Sequence, residues 1–396
     1  MGTKNGTPGH RTDTDIVTTG RVPEEYFGYV NPPVFRGSTV LYPDLASFEQ
    51  RKARYPYGRL GSPTTDSLEA VMTKLEGGAG TVLASSGLSA IAVALQSHLK
   101  AGDHLLLTDS CYAPNRRFSD NVLTRFGVEV EYYDPHIGAG ISELVRPNTR
   151  VIFLESPGSQ TFEVQDLPAI VDVARKRDIV TMIDNTWATP LFLKPLDLGV
   201  DISIHAATKY VGGHSDVMLG TVTANARCWP ALKETWGHLG ECAGPDVVWL
   251  GQRGVRTMGV RLRQQMKAGL DVAGWLEARP EVDQVLHPAL ESHPDHALWK
   301  RDFTGASSLF SIVLKPGPKD ALATFVDHLE LFGIGASWGG YESLVLPFDP
   351  RPVRTVTRWE AHGPAVRLHI GLEDTQDLIS DLEAGLERWR KAGGAG

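Results

Sequence analysis

Short segments that are apolar throughout alternate with helical segments from Leu75 onward, and this alternation constrains the fold more than any other feature. The predicted strands cover residues 81–84, 104–108, 128–133, 151–155, 180–183 and 202–206, and predicted helices at 88–99, 115–126 and 168–176 lie between most of them. Apolar strands separated by helices indicate a parallel sheet covered on both faces. Because right-handed crossovers bring the carboxyl ends of such strands to one edge, we expect ligand-binding residues directly after the strands.

A second, smaller domain is expected after residue 250, since 396 residues exceed what one hydrophobic core usually holds together. Apolar residues spaced three or four apart predict a helix over 255–270. We expect its basic residues to face solvent: Arg253, Arg256, Arg261 and Arg263. Strands at 307–314 and 366–370 and a helix at 375–390 should complete this domain.

The predicted division of the chain has three parts. Residues 22–54 are rich in proline and aromatic residues without a clear period, so they have apolar groups to bury but no core of their own. We therefore expect residues 1–55 to form an arm packed over another subunit or domain. The large domain is expected over 56–250, and the linking helix and small C-terminal domain over 251–396.

Charge and cysteine content exclude several classes of partner. A net charge of −8 gives no overall electrostatic attraction for nucleic acid or an anionic membrane. No apolar run approaches the roughly 20 residues that cross a bilayer, and the polar first 20 residues lack the apolar core of a signal peptide. Three cysteines, Cys111, Cys228 and Cys242, do not make a disulfide framework. These features predict a soluble cytoplasmic protein.

Four polar segments follow predicted strands, where the sheet argument places a ligand site. Small residues at 85–89 open a helix whose free N–H groups favour a phosphate, and Tyr112 is placed to stack on a planar ligand. Asp184 and Lys209 end apolar strands, where burial disfavours charge and lowers the pKa of an amine. Taken singly, these features are more often a turn, a core tyrosine, a helix cap and a structural lysine. Together they match the needs of pyridoxal phosphate: a lysine, an acid for the pyridinium nitrogen and a phosphate site.

The motifs around these residues resemble those of the Cys/Met-metabolism family of pyridoxal-phosphate (PLP) enzymes, from about residue 30 to 390. The matching motifs are YGRLG (57–61), EGG (76–78), SSG (85–87), ESPGS (155–159), DNTW (184–187) and ATKYVGGHSD (207–216). SWGGYESL (337–344) and VRLHIGLED (366–374) are most similar to the branch that cleaves cystathionine by α,β-elimination. The resemblance implies an α/β protein of PLP-dependent transferase fold type I, with a mostly parallel seven-stranded sheet in the large domain and a smaller C-terminal α+β domain.

The resemblance also implies an activity and its catalytic residues. The expected reaction converts L-cystathionine to homocysteine, pyruvate and ammonia, a step of methionine biosynthesis. Lys209 is expected to hold PLP covalently and to remove the α-proton of the substrate. Asp184 is expected to keep the pyridine nitrogen protonated, and Tyr112 to stack on the ring and assist proton transfer.

Further residues are expected to bind the cofactor and the substrate. By the resemblance, the phosphate is bound by the backbone of Gly87 and Leu88, the Thr208 hydroxyl, and Tyr57 and Arg59 of a neighbouring subunit. This arrangement belongs to homotetramers built as dimers of active dimers, and it gives the N-terminal arm a purpose. The expected substrate-binding residues are Tyr57, Ser337, Trp338 and Arg367, of which the arginine grips a carboxylate with two parallel hydrogen bonds.

Two positions depart from the common pattern of the family. Ala206 stands where many relatives carry a serine that donates to the phosphate, so one hydroxyl donor is missing. Gly158 and Ser159 stand where γ-acting branches often carry an Asn-Pro pair, and this difference favours the β-eliminating branch.

Three alternatives remain open at this point. The nearest is a γ-acting relative, namely a cystathionine γ-synthase, a cystathionine γ-lyase or a methionine γ-lyase. A metal-dependent hydrolase would use His287, His293 and His296, although Pro294 breaks a helix there and no acid lies at the expected spacing. A non-catalytic binding protein of the same fold is the third. We expect no metal site.

Overall fold

Seven strands form one sheet in the computed structural model, which describes residues 10–396. They are β1 (Gly80–Ala84), β2 (His104–Thr108), β3 (Glu129–Tyr133), β4 (Thr149–Glu155), β5 (Val180–Asp184), β6 (Ile202–His205) and β7 (Gly220–Ala224). Their order is β1-β7-β6-β5-β4-β2-β3, in which β7 is antiparallel to both neighbours and the strands from β6 to β3 pair in parallel. The expected α/β fold with a mostly parallel seven-stranded sheet is confirmed.

Six of the seven strands are mostly apolar because both faces of the sheet are buried there, whereas the edge strand β3 carries Glu129 and Glu131 and is partly exposed. On β5, Met182 faces one core cluster and Ile183 faces the other, as the two-residue period of a strand requires. The parallel strands end at one edge, so Asp184, at the end of β5, lies near the residues that follow β2 and β6.

Helices cover the two faces and connect the strands. They are α1 (Thr12–Thr18), α2 (Leu45–Glu49), α3 (Pro63–Glu76), α4 (Gly87–Gln96), α5 (Ala113–Phe118), α6 (Leu167–Lys176), α7 (Thr189–Phe192), α8 (Trp229–Leu239), α9 (Pro245–Val255), α10 (Met258–Glu277), α11 (His296–Asp302), α12 (Lys319–Val326) and α13 (Thr375–Lys391). Local sequence sets the ends of α3, because Ser62 and Thr65 form a capping box and Gly77 ends the helix at φ +72°.

A second sheet of five strands forms the C-terminal part of the chain. Its strands are β8 (Val282–Leu286), β9 (Leu309–Leu314), β10 (Gly333–Ile334), β11 (Leu344–Phe348) and β12 (Ala365–His369), in the order β10-β11-β12-β9-β8. α12, α13 and part of α10 bury a separate apolar cluster against it. The boundaries at residues 55 and 250 stay a prediction.

Two predicted helices differ from the structure. The helix predicted over 115–126 is α-helical only to Phe118; a π-helical turn follows at Ser119–Leu123 and buries Ser119 and Leu123. The helix predicted over 255–270 is divided, because α9 ends at Val255 and α10 begins at Met258.

The expected solvent exposure of the arginines around this break is wrong for two of them. Arg256 turns inward and donates from Nη1 to the carbonyls of Ile16 and Thr19, at 2.6 and 2.9 Å. Arg261 is 6% exposed and bonds to the carbonyl oxygens of Tyr210 and Gly254. Buried backbone carbonyls that need donors therefore draw these two side chains into the protein. No helix among residues 10–396 is both long and apolar enough to cross a membrane.

Candidate active site

Lys209 lies four residues beyond the end of β6 and points to the C-terminal sheet. Its Nζ donates a hydrogen bond to Ser337 Oγ at 2.6 Å and lies 5.4 Å from the centre of the Trp338 ring. Burial and the Arg367 charge lower the pKa of Lys209 to about 8, while the Asp184 charge opposes that change. An amine of this kind is a usable nucleophile and base near neutral pH.

Asp184 presents a half-buried carboxylate at the same edge. Both of its hydrogen bonds go to Oδ1, from the Thr186 N–H at 3.0 Å and the Thr186 hydroxyl at 2.5 Å, so Oδ2 remains for another donor. The Thr186 hydroxyl also accepts from the Ala206 N–H at 2.9 Å and so ties β5 to the segment that carries Lys209. Burial raises the pKa of Asp184 above its ordinary value, although the Thr186 bonds and the Lys209 charge oppose the rise. A positively charged ring nitrogen at Oδ2 would relieve this desolvation.

Arg367 comes from β12 and is 7% exposed. Its Nη2 donates to the carbonyls of Ala336 and Ser337, both at 3.0 Å, and more weakly to that of Gly335. These bonds fix the guanidinium plane and leave Nη1 and Nε to meet a carboxylate. Burial lowers the pKa of Arg367 to about 10, so the side chain stays charged at neutral pH.

Tyr112 stands at the start of α5, after β2, with its side chain 43% exposed. Burial, with the charges of Asp184 and Glu155, raises its pKa, and therefore the phenol keeps its proton at neutral pH. The backbone N–H of Tyr112 donates to Glu155 Oε2 at 2.6 Å.

Glu155 is a residue that the sequence analysis did not single out. It ends β4 and is the register partner of Asp184 on β5, so a buried and a half-buried carboxylate lie on adjacent strands. Burial and the charge of Asp184 raise the pKa of Glu155 well above its ordinary value. An acid that ends an apolar strand is the signal that identified Asp184, and it applies equally here.

A candidate anion site lies at the first turn of α4, between β1 and β6. Helix geometry leaves the N–H groups of Gly87 and Leu88 without partners in the helix, and a Cβ on Gly87 would lie 2.5 Å from the Cβ of Ala206. In this structure the Glu241 carboxylate accepts from the Ser85 N–H at 2.7 Å and from the Ser89 hydroxyl. An acid thus already occupies the border of this site.

Two of the three expected phosphate-binding side chains, those of Thr208 and Arg59, are engaged elsewhere in the single chain. The Thr208 hydroxyl donates to the Leu219 carbonyl at 3.2 Å and accepts from the Leu219 N–H at 3.0 Å. Arg59 donates to the Gly237 carbonyl at 2.9 Å, beside α8 of its own chain. Tyr57 is 46% exposed. The expected role of Thr208 at the phosphate, and those of Tyr57 and Arg59 in a neighbouring subunit, stay predictions.

Hydrogen bonds to Asp109, three residues before Tyr112, hold the loop of residues 349–361, which joins two strands of the C-terminal sheet. Asp109, after β2, is fully buried and accepts bonds from Arg116 and from this loop. The loop donors are the backbone N–H groups of Thr355, Val356 and Thr357 and the hydroxyls of Thr355 and Thr357. Although burial opposes the change, this set of donors lowers the pKa of Asp109 to about 2.

The histidines of the hydrolase alternative have structural contacts. His287 and His293 are buried and accept backbone N–H bonds at Nδ1, and His296 contacts the Pro288 carbonyl. Over residues 10–396 the structure contains no group of three or more His, Cys, Asp or Glu side chains placed to hold a metal ion.

The arrangement fits PLP. A desolvated amine, a half-buried carboxylate with one free oxygen and a helix start with no room for a Cβ meet at one edge of the sheet. These are the groups that the aldehyde, the pyridine nitrogen and the phosphate of this cofactor require.

Comparison with known proteins agrees with this arrangement. The chain is 44% identical to the cystathionine beta-lyase of Escherichia coli K12 over 389 residues, which covers 96% of this chain and 98% of the relative. It is also 44% identical to the cystathionine beta-lyase of Bordetella avium, with coverage of 91% and 92%. The crystal structure of a cystathionine gamma synthase from Xanthomonas oryzae pv. oryzae, in complex with aminoacrylate and cysteine, superposes with a TM-score of 0.90 at 31% identity, covering 98% of this chain and all of that one.

The sequence profile of the Cys/Met metabolism PLP-dependent enzymes matches residues 13–387. With the relatives above, this match covers both sheets and every residue of the site. The chain therefore belongs to the Cys/Met metabolism family of PLP-dependent enzymes.

Proposed function

We propose that this chain is a carbon–sulfur lyase that converts L-cystathionine and water to L-homocysteine, pyruvate and ammonia. The observation that carries the proposal is the convergence of Lys209, Asp184 and Arg367 at one sheet edge, close enough for their charges to shift the pKa of Lys209. The 44% identity to two proteins named cystathionine beta-lyase supports this choice of substrate.

Each residue of the site has a separate task in the proposed reaction. PLP, when bound, supplies an electron sink for negative charge that develops at Cα of the substrate. Arg367 binds the α-carboxylate through Nη1 and Nε and so orients the Cα–H bond. Lys209, held by Ser337 Oγ at 2.6 Å, removes the α-proton. With PLP bound, Asp184 Oδ2 would accept a hydrogen bond from the protonated pyridine nitrogen, and Tyr112 would lie against the ring with its phenol protonated.

Product analysis distinguishes β- from γ-elimination. Purified protein supplied with PLP and L-cystathionine should release pyruvate and homocysteine in equal amounts. The γ-acting reading predicts 2-oxobutyrate and cysteine instead, and their appearance as main products would replace the proposal. The lower identity to the γ-synthase of known structure, 31%, supports the β-acting reading.

We also propose a homotetramer in which the arm of one subunit completes the site of another. Nine large apolar side chains between residues 27 and 60 are exposed in the single chain, and Phe27 is 98% exposed. An apolar surface of this extent marks a protein contact. Tyr57 and Arg59 lie in this segment and are thereby carried to the phosphate of the neighbour.

Subunit mixing tests this arrangement. Chains carrying Arg59→Ala and chains carrying Lys209→Ala should each be inactive, whereas co-expressed mixed oligomers should regain part of the wild-type activity. A mixed site can combine Lys209 of one chain with Arg59 of the other only if the two act across an interface. Mixed oligomers that are verified by native mass spectrometry and stay inactive would exclude the proposal.

The three cysteines are all unpaired, two of them buried. Unpaired thiols are typical of a reducing compartment. We therefore place the proposed enzyme in the cytoplasm, which fractionation of the source cells would test.

A further inference from the structure

The turn formed by Gly339 and Gly340, here called the double-glycine turn, packs directly on the backbone of Lys209. A Cβ on Gly339, which has φ +88°, would lie 2.9 Å from the carbonyl carbon of Lys209 and 2.9 Å from the nitrogen of Tyr210. Ser337 and Trp338 immediately precede this turn. Its position therefore sets where these two side chains stand relative to the Lys209 amine.

Two fully buried side chains make hydrogen bonds to the backbone of the double-glycine turn. His369 Nε2 accepts a hydrogen bond from the Gly339 N–H at 3.1 Å. Gln265 Nε2, from α10, donates to the Gly340 carbonyl at 2.8 Å. Both residues are 1% exposed, so water cannot replace either bond.

The His369 ring is fixed as an acceptor at Nε2. Its Nδ1 lies 3.4 Å from Ser308 Oγ, whose own hydroxyl donates to the Ile370 carbonyl at 2.6 Å, so Nδ1 carries the proton. Burial lowers the pKa of His369 to about 3, and the ring stays neutral over the working pH range. The Gly340 carbonyl lies 3.2 Å from Nε2 but already has Gln265 as its donor.

α10 also makes a hydrogen bond to the backbone segment that carries Lys209. Arg261, one helical turn before Gln265 and on the same face, donates from Nη2 to the Tyr210 carbonyl at 2.9 Å. The single helix α10 thus holds both the segment of Lys209 and the segment of Ser337. The Nζ of Lys209 and the Oγ of Ser337 lie 2.6 Å apart.

We propose that His369 and Gln265 are positioning residues that fix Ser337 and Trp338 against the Lys209 amine through the double-glycine turn. The proposal rests on the proposed function, because the position of the amine matters through the proton that it moves. Displacement of a catalytic group by about 1 Å costs on the order of 100-fold in rate. Arg367 is carried by β12 and bonds to the carbonyls of Gly335 and Ala336 as well as to that of Ser337, so we expect substrate affinity to change less than the rate.

The test compares His369→Leu, which has no acceptor, with His369→Gln, whose amide oxygen reaches the position of Nε2 and can accept the Gly339 N–H. For His369→Leu we expect kcat to fall about 10- to 100-fold with KM changed far less, and for His369→Gln most of the activity to return. Gln265→Met, which removes the donor at similar volume, should have the same effect as His369→Leu. It replaces His369→Leu in the test if His369→Leu does not fold. His287→Leu is the matched control, because His287 is likewise a fully buried histidine that accepts a backbone N–H.

A second measurement needs neither cofactor nor turnover. In the cofactor-free protein, the pH dependence of reductive methylation of Lys209, followed by peptide mass spectrometry, reports its environment. His369→Leu should move the midpoint toward that of an ordinary lysine, whereas His369→Gln and His287→Leu should not. Equal losses in His369→Leu and His369→Gln, or wild-type kcat and midpoint in a folded His369→Leu, would overturn the proposal. Failure of the wild-type protein to cleave cystathionine would instead reject the proposed function and leave the methylation result standing.

Discussion

The lowered pKa of Lys209 is the property of the site that can be measured most directly. At a pKa of about 8, about one tenth of the amine is neutral at pH 7, against about three parts in ten thousand for an ordinary lysine at 10.5. Lys209 of the cofactor-free protein should therefore react with formaldehyde and cyanoborohydride roughly 300-fold faster at pH 7 than a lysine of ordinary pKa and equal access.

The assay is competitive labelling across pH 6 to 11, with peptide mass spectrometry and the exposed Lys319 as internal reference. Two variants should move the midpoint in opposite directions. Asp184→Asn removes the negative charge that stabilises the ammonium form, so the midpoint should fall; Arg367→Met removes the repelling positive charge, so it should rise. A Lys209 midpoint equal to that of Lys319, or shifts of the same sign in both variants, would refute the electrostatic reasoning.

Three further predictions concern activity and stability. Lys209→Ala should abolish pyruvate release while circular dichroism shows a folded protein. Arg367→Lys should raise KM for cystathionine about 10- to 100-fold in steady-state kinetics, since a lysine replaces two parallel bonds to the carboxylate with one; an unchanged KM would contradict its role. Because the folded protein raises the pKa of Glu155, it binds a proton more tightly than the unfolded chain, and stability is lost as pH rises from the ordinary glutamate value through the folded one. Glu155→Gln should remove that loss, so urea unfolding should show its advantage over wild type growing with pH; a constant difference would contradict the assignment.

Most of the large sheet could be predicted from the sequence because its strands are buried on both faces. Runs such as Val180–Asp184 carry that signal without any knowledge of their partners. The sequence does not indicate β7, because its Gly-Thr-Val-Thr-Ala segment has one large apolar residue. It does not indicate β8 either, because the outward positions of that strand are polar. The inward direction of the Arg256 side chain, at the break between α9 and α10, depends on the carbonyls of Ile16 and Thr19, which lie about 240 positions away in the chain.

The residues of the candidate site could likewise be predicted only in part from the sequence. Lys209, Asp184 and Tyr112 follow strands whose ends meet, so the sheet rule places them at one edge. The rule says nothing of Arg367, Gln265 or His369, which reach this edge by packing of the C-terminal sheet and α10. The contacts of Thr208 with Leu219 likewise depend on β7, which the sequence did not reveal.

The bonds that Asp109 accepts from the loop at 349–361 have a consequence for how substrate enters. That loop joins β11 to β12, the strand of Arg367, so its attachment fastens the carboxylate-binding side of the cleft to the large sheet. A hinge motion that swung the C-terminal sheet away would break several hydrogen bonds to a buried anion, each worth about 1.5–3 kcal/mol. The bonds to Asp109 should therefore oppose any opening of the cleft that separates the C-terminal sheet from the large sheet.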